Sequence, residues 1–147
     1  MLDKIKNTLF QTYKKDEVRG IFFSAFDKKN NLITSNGVFH TDKPMNELID
    51  IIFNGLLINH TNETQTMVID VITDNKKEND ISTISNLSMK EFGIFLINEQ
   101  TQKSGIILPN TKGVENASGA LNLIKQKFGL NGDVSIYTFK TDRVIIN

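Results

Sequence analysis

The chain has 147 residues, 39% hydrophobic and 23% charged, which is the size and make-up of one globular domain and far from the low-hydrophobicity, high-charge mixture that stays disordered. Lys plus Arg and Asp plus Glu number 17 each, so no net field draws it to nucleic acid or an anionic membrane, and Arg19 and Arg143 are its only arginines. The absence of cysteine excludes disulfides, thiolate nucleophiles, iron–sulfur clusters and cysteine-ligated zinc, and with only His40 and His60 no metal site or cofactor is expected.

Leu2, Ile5, Leu9 and Tyr13 recur at helical spacing and predict an amphipathic helix of about four turns. Charges from Asp3 onward rule out a secretory signal there, and the longest apolar runs, such as 49–53, fall far short of the roughly 20 residues of a membrane span. A cytoplasmic protein without membrane partners is expected. Residues 20–26 and 32–39 read as two strands of a β-hairpin, joined by the turn residues of Asp27-Lys-Lys-Asn-Asn31.

Thr41-Asp42-Lys43-Pro44 offers a capping side chain, with proline near the first helical position. Met45, Leu48, Ile49, Ile52 and Leu56 then supply the apolar face of a second helix running to about Leu57. After a polar loop, residues 66–73 are rich in β-branched side chains and predict a strand interrupted by Asp70. Residues 74–80 read as a charged connector, and Ser88 with Glu91 has the spacing of a capping box for a brief helical turn. Two short apolar runs, 93–97 and 105–108, bracket a polar loop as a second hairpin.

Asn116 or Ser118 caps a third long helix with Ala120, Leu121, Ile124 and Phe128 on one face and Gly129 at a left-handed terminus. Asn131-Gly132 then turns the chain into 134–139 and 144–146. No repeat or linker divides this succession, so 1–147 reads as one domain. Hairpin-length connections favour an α+β fold, a largely antiparallel sheet with about three flanking helices, over a doubly wound one.

The run Phe92-Gly93-Ile-Phe-Leu-Ile97, then Lys103-Ser-Gly-Ile-Ile-Leu-Pro109, then a helix closing in Lys127-Phe-Gly-Leu130 resembles the carboxyl half of AMMECR-type domains, the family of the AMME syndrome candidate gene product. Upstream, Ile69-Asp-Val-Ile72 is similar to the family strand with an isoleucine–glutamate pair, which puts Asp70 at the acidic position. Arg19-Gly-Ile-Phe-Phe-Ser24 and Lys43-Pro-Met-Asn-Glu-Leu48 resemble the amino half, whose helical region is shortened here. The resemblance extends from about residue 19 to 137 and implies a modification pathway as context, because such domains are often encoded with a Memo-type protein and a radical S-adenosylmethionine enzyme.

The departures fall at the family signature L-R-G-C-I-G. Here Leu32-Ile33-Thr34-Ser35-Asn36-Gly37 stands in its place, without the arginine or the cysteine, and the family's D-P-R-F segment has no counterpart between 53 and 66. Ser35, His40 and Asp70 are the one nucleophile, base and acid set in the chain, although Ser35 lacks the Gly-x-Ser-x-Gly elbow. Strand alternation places Met67, Ile69 and Val71 inward and favours an edge or solvent-facing position for Asp70. Two functions of different class follow. One is a non-catalytic binding or adaptor module that kept the scaffold after losing its thiol and guanidinium. The other is a hydrolase or transferase with a site rebuilt around Ser35 and Asp70.

Overall fold

The structure is a computed structural model that describes residues 1–130 and 132–147. Four α-helices, α1 (Leu2–Leu9), α2 (Met45–Ile52), α3 (Ile81–Ser85) and α4 (Ala117–Phe128), accompany six strands, β1 (Ile21–Phe26), β2 (Leu32–Val38), β3 (Thr66–Lys77), β4 (Gly93–Asn98), β5 (Lys103–Ile107) and β6 (Ser135–Ile146). The strands hydrogen-bond in the order β2-β1-β3-β6-β4-β5, with antiparallel partners for β1 on both sides and for β4 on both sides. This is the α+β architecture expected from the hairpin-length connections. The chain gathers into two compact units, Met1–Val71 with Asp142–Asn147, and Ile72–Thr141. Each division falls inside a long strand, β3 or β6, so no linker composition marks it in the sequence.

In the first unit, Ile21, Phe23 and Ala25 of β1 and Met67, Ile69 and Val71 of β3 turn one face to a core completed by Ile5 and Leu9 of α1 and Met45, Leu48, Ile49 and Ile52 of α2. Apart from Ala25, each such side chain contributes about 1.5–3 kcal/mol when fully buried. Helix α1 stops after eight residues, short of the four turns predicted. The chain continues in turns, with the Tyr13 amide donating to Leu9 O at 2.9 Å, and Tyr13 still packs on the core. Thr12 and Tyr13 are weak helix formers, so the apolar contact persists while the helix does not.

Helix α2 corrects the expected cap. Pro44 is its N-cap and no side chain caps it; instead the Met45 and Asn46 amides donate to the carbonyls of Glu17 and Lys15 at 2.7 and 3.0 Å. The Thr41 hydroxyl accepts from the Lys43 amide. The loop before β1 thus satisfies backbone donors that every helix start leaves open. Beyond Ile52 the helix widens to a π-helical turn, Phe53–Leu57, and tightens to a 3-10 turn, Ile58–His60, which keeps Phe53 and Leu57 buried. In the β1–β2 turn, Asp27 Oδ1 accepts from the Lys29 and Asn31 amides, both at 2.8 Å, and Asn30 adopts a left-handed φ of 63°.

In the second unit, Ile94 and Leu96 of β4, Ile107 of β5, Ile136 of β6 and Ala120 and Ile124 of α4 form the core with Ile84 of α3. The β4–β5 hairpin forms as expected. Residues 74–77, read as a connector, instead continue β3, and β6 is one strand of 12 residues where two runs were expected. Cross-strand hydrogen bonding needs no apolar alternation, so the exposed polar residues 74–77 extend β3 and the half-buried polar residues 140–142 bridge the two runs of β6. Helix α3 was not foreseen. Asp80 caps it, its Oδ1 accepting from the Ser82 amide at 3.0 Å, and hydrogen bonds from Thr83 and Ser82 hold its carboxyl below the usual range.

Helix α4 starts and ends as the sequence indicates. Asn116 Oδ1 accepts from the Gly119 amide at 2.7 Å, and Gly129 closes the helix at φ 62°. The expected Asn131-Gly132 turn includes Asn131, which lies outside the described residues. Among the described residues no helix is long and apolar enough to cross a membrane.

Candidate functional site on the second face of the β1–β3 sheet

Alternation along β1 sends Phe22, Ser24 and Phe26 to the face away from the first core. The registers align cross-strand rows on that face: Gly37, Phe22 and Asp70 form one, and Ser35, Ser24 and Val68 the next. Ser35 and Asp70 therefore share a face, two strands apart and two residues out of line.

Asp70 is not at an edge. It lies on β3, flanked by β1 and β6, and is 1% exposed, so the reading that favoured an edge or solvent-facing position is corrected. A buried carboxylate without a partner is costly. Its partner is Arg143 on β6, whose Nε donates to Oδ1 at 2.9 Å and whose Nη2 donates to Oδ2 at 3.1 Å. This is the two-pronged geometry that a planar guanidinium makes with a carboxylate. The Arg143 side chain is 32% exposed, so the cation covers the buried anion and meets solvent itself.

Ser35 is exposed, and its hydroxyl lies 3.1 Å from that of Ser24 across the β1–β2 ladder. A second hydroxyl is no general base. From Ser35, strand β2 runs without return to Val38, about 10 Å along an extended chain, and His40 follows outside the strand. There the exposed imidazole makes an edge contact with the Phe39 ring, centroids 4.8 Å apart. The fold thus brings Ser35 and Asp70 to one face and leaves His40 beyond the end of the strand, away from Ser35.

Gly37, on β2 opposite Phe22, has a steric reason to be glycine. A Cβ would stand 2.2 Å from Ile21 O and 2.6 Å from Phe22 Cα, and the Phe22 ring fills the space over it. In the second unit Gly93 lies opposite Phe139 in the same way, and Gly105 lies under the Phe128 ring. An aromatic side chain over a strand glycine restores packing that the glycine itself lacks.

Arg143 was the residue that sequence reading missed. Seventy-three positions separate it from Asp70, and its only sequence signal was rarity, one of two arginines. A second polar cluster in this unit joins Tyr13, whose hydroxyl donates to Asp142 Oδ2 at 2.5 Å, with Arg19 5.7 Å from the Tyr13 ring and 2.9 Å from Glu17 Oε2. Burial pushes the Tyr13 phenol up, and the hydrogen bond to Asp142 adds to the shift.

Among the described residues no group of three or more His, Asp or Glu is placed to hold a metal ion. His60 sits in the 3-10 turn, its Nδ1 3.8 Å from Glu63 Oε1. Surface cavities of about 370 Å³, lined by Asp27, Lys28, Lys29, Asn31, Asn62 and Glu63, and of about 330 Å³, beside Lys4, Thr64 and Met67, contain none of Ser35, His40 and Asp70.

Fold and site together define an α+β protein whose antiparallel sheet carries a buried carboxylate, held by a partly exposed guanidinium, on the same face as a pair of serine hydroxyls. It is similar to the crystal structure of an uncharacterized protein, PH0010, from Pyrococcus horikoshii, with a TM-score of 0.72 at 14% identity over 89% of this chain and 75% of that one. At that identity the likeness shows the fold alone. No protein-family model matches the chain, and no curated protein matches it significantly.

Proposed function

We propose that this chain is a non-catalytic binding or adaptor module on an AMMECR-type scaffold, acting in the cytoplasm beside a Memo-type protein or a radical S-adenosylmethionine enzyme. The observation that carries the reading is the state of the two chemical groups at the signature face. Asp70 has both oxygens engaged by Arg143, and the hydrogen-bond partner of Ser35 is the hydroxyl of Ser24. A serine becomes a nucleophile when a base removes its proton and a carboxylate orients that base. Here the carboxylate is committed to a cation and the serine to another hydroxyl, an arrangement that supports holding a surface in shape more than turning over a substrate.

The same face favours a second reading, an enzyme of hydrolase or transferase type with Ser35 and Asp70 in a rebuilt site, because both residues lie on it with a partly exposed guanidinium. Purification of the tagged chain from its native host separates the two. An adaptor brings down a stoichiometric partner, with a Memo-type or radical S-adenosylmethionine protein expected. Recovery of the chain alone, joined to covalent labelling of Ser35 by a serine-directed probe, would favour the enzyme.

A further inference from the structure

We draw no further inference here: the strongest candidate, the open end of the second sheet face where Leu32 and Ile145 are exposed beside Phe26 and the Ser24–Ser35 hydroxyl pair, is an unpartnered apolar face, and nothing in the structure shows what covers it.

Discussion

Asp70 and Arg143 lie 73 positions apart and meet through two parallel hydrogen bonds, with the carboxylate 1% and the guanidinium side chain 32% exposed. Removing one member of a buried pair strands the other, at a cost of about 3–5 kcal/mol. Asp70→Val is expected near the lower end, because the arginine it leaves behind keeps some contact with water, and Arg143→Met, which strands the buried carboxylate, nearer the upper. For a chain of this size the lower end corresponds to a fall in Tm of roughly 10 °C. Urea unfolding of Arg143→Met, Asp70→Val and the double variant tests the coupling. The double variant should be clearly more stable than the sum of the single losses predicts, and simple additivity would show that the pair does not act as one unit.

Tyr13 gives a pH dependence of defined sign. Its phenol is raised above the ordinary value of about 10, by burial first and by the hydrogen bond to Asp142 second. A raised folded pKa means that the phenol's contribution is complete below about pH 10 and is lost as the pH climbs above it. Tyr13→Phe should lower stability near pH 7 by about 1 kcal/mol through the lost hydrogen bond. It should also flatten the decline above pH 10. Urea midpoints at pH 8 and pH 11 check this, and parallel losses in both proteins would count against the assignment.

Two glycines should respond in opposite directions to the same substitution. Gly37→Ala places a methyl group against the backbone of β1, 2.2 Å from Ile21 O, and should destabilise by about 1–3 kcal/mol as the strands shift. Gly55 lies in the π-helical turn with nothing within 4 Å of an added Cβ and outside the left-handed region. There alanine should be neutral or stabilise by about 0.4–1 kcal/mol, by restricting the unfolded chain. Thermal melts of the two variants decide the matter.

Ser35 should remain unlabelled by a fluorophosphonate, since its hydroxyl faces Ser24 and the strand carries His40 away from it. Mass spectrometry of the treated protein reads the result. An adduct on Ser35 that disappears in His40→Ala would replace the adaptor reading with a hydrolase.

Elemental analysis of the purified protein should find less than one equivalent of zinc or iron per chain, because the chain has no cysteine and no clustered set of three ligands among the described residues. A tightly held equivalent would require a ligand set that the fold does not assemble by itself.

The local elements were largely legible. Period-two alternation set Met67, Ile69 and Val71 on the core, and Asn116 and Gly129 marked the ends of α4. What sequence could not show was set by distant partners. Asp70 looks like a solvent-facing interruption until a residue from another strand supplies the opposite charge. The start of α2 looks capped by its own Thr41, whereas carbonyls from the loop at 15–17 reach its amides. Residues 74–77 look like a connector because their side chains are polar, yet strand pairing acts through the backbone. Ser35, His40 and Asp70 were grouped by residue type, as a hydroxyl, an imidazole and a carboxylate, and residue type does not say which row of the sheet each one occupies.

The rings over Gly37, Gly93 and Gly105 constrain how this sequence can drift. At Gly37 an added Cβ meets the β1 backbone as well as the Phe22 ring, so a smaller residue at 22 would not by itself admit a larger one at 37, and it would bare the strand while glycine persists. Gly93 is held likewise, by the Ile107 carbonyl as well as the Phe139 ring, whereas the nearest atoms at Gly105 belong to the side chains of Phe128 and Ile124. In distant relatives a larger residue at 105 should therefore arrive with smaller ones at 128 or 124, whereas 37 and 93 should stay glycine unless the strands are spaced differently.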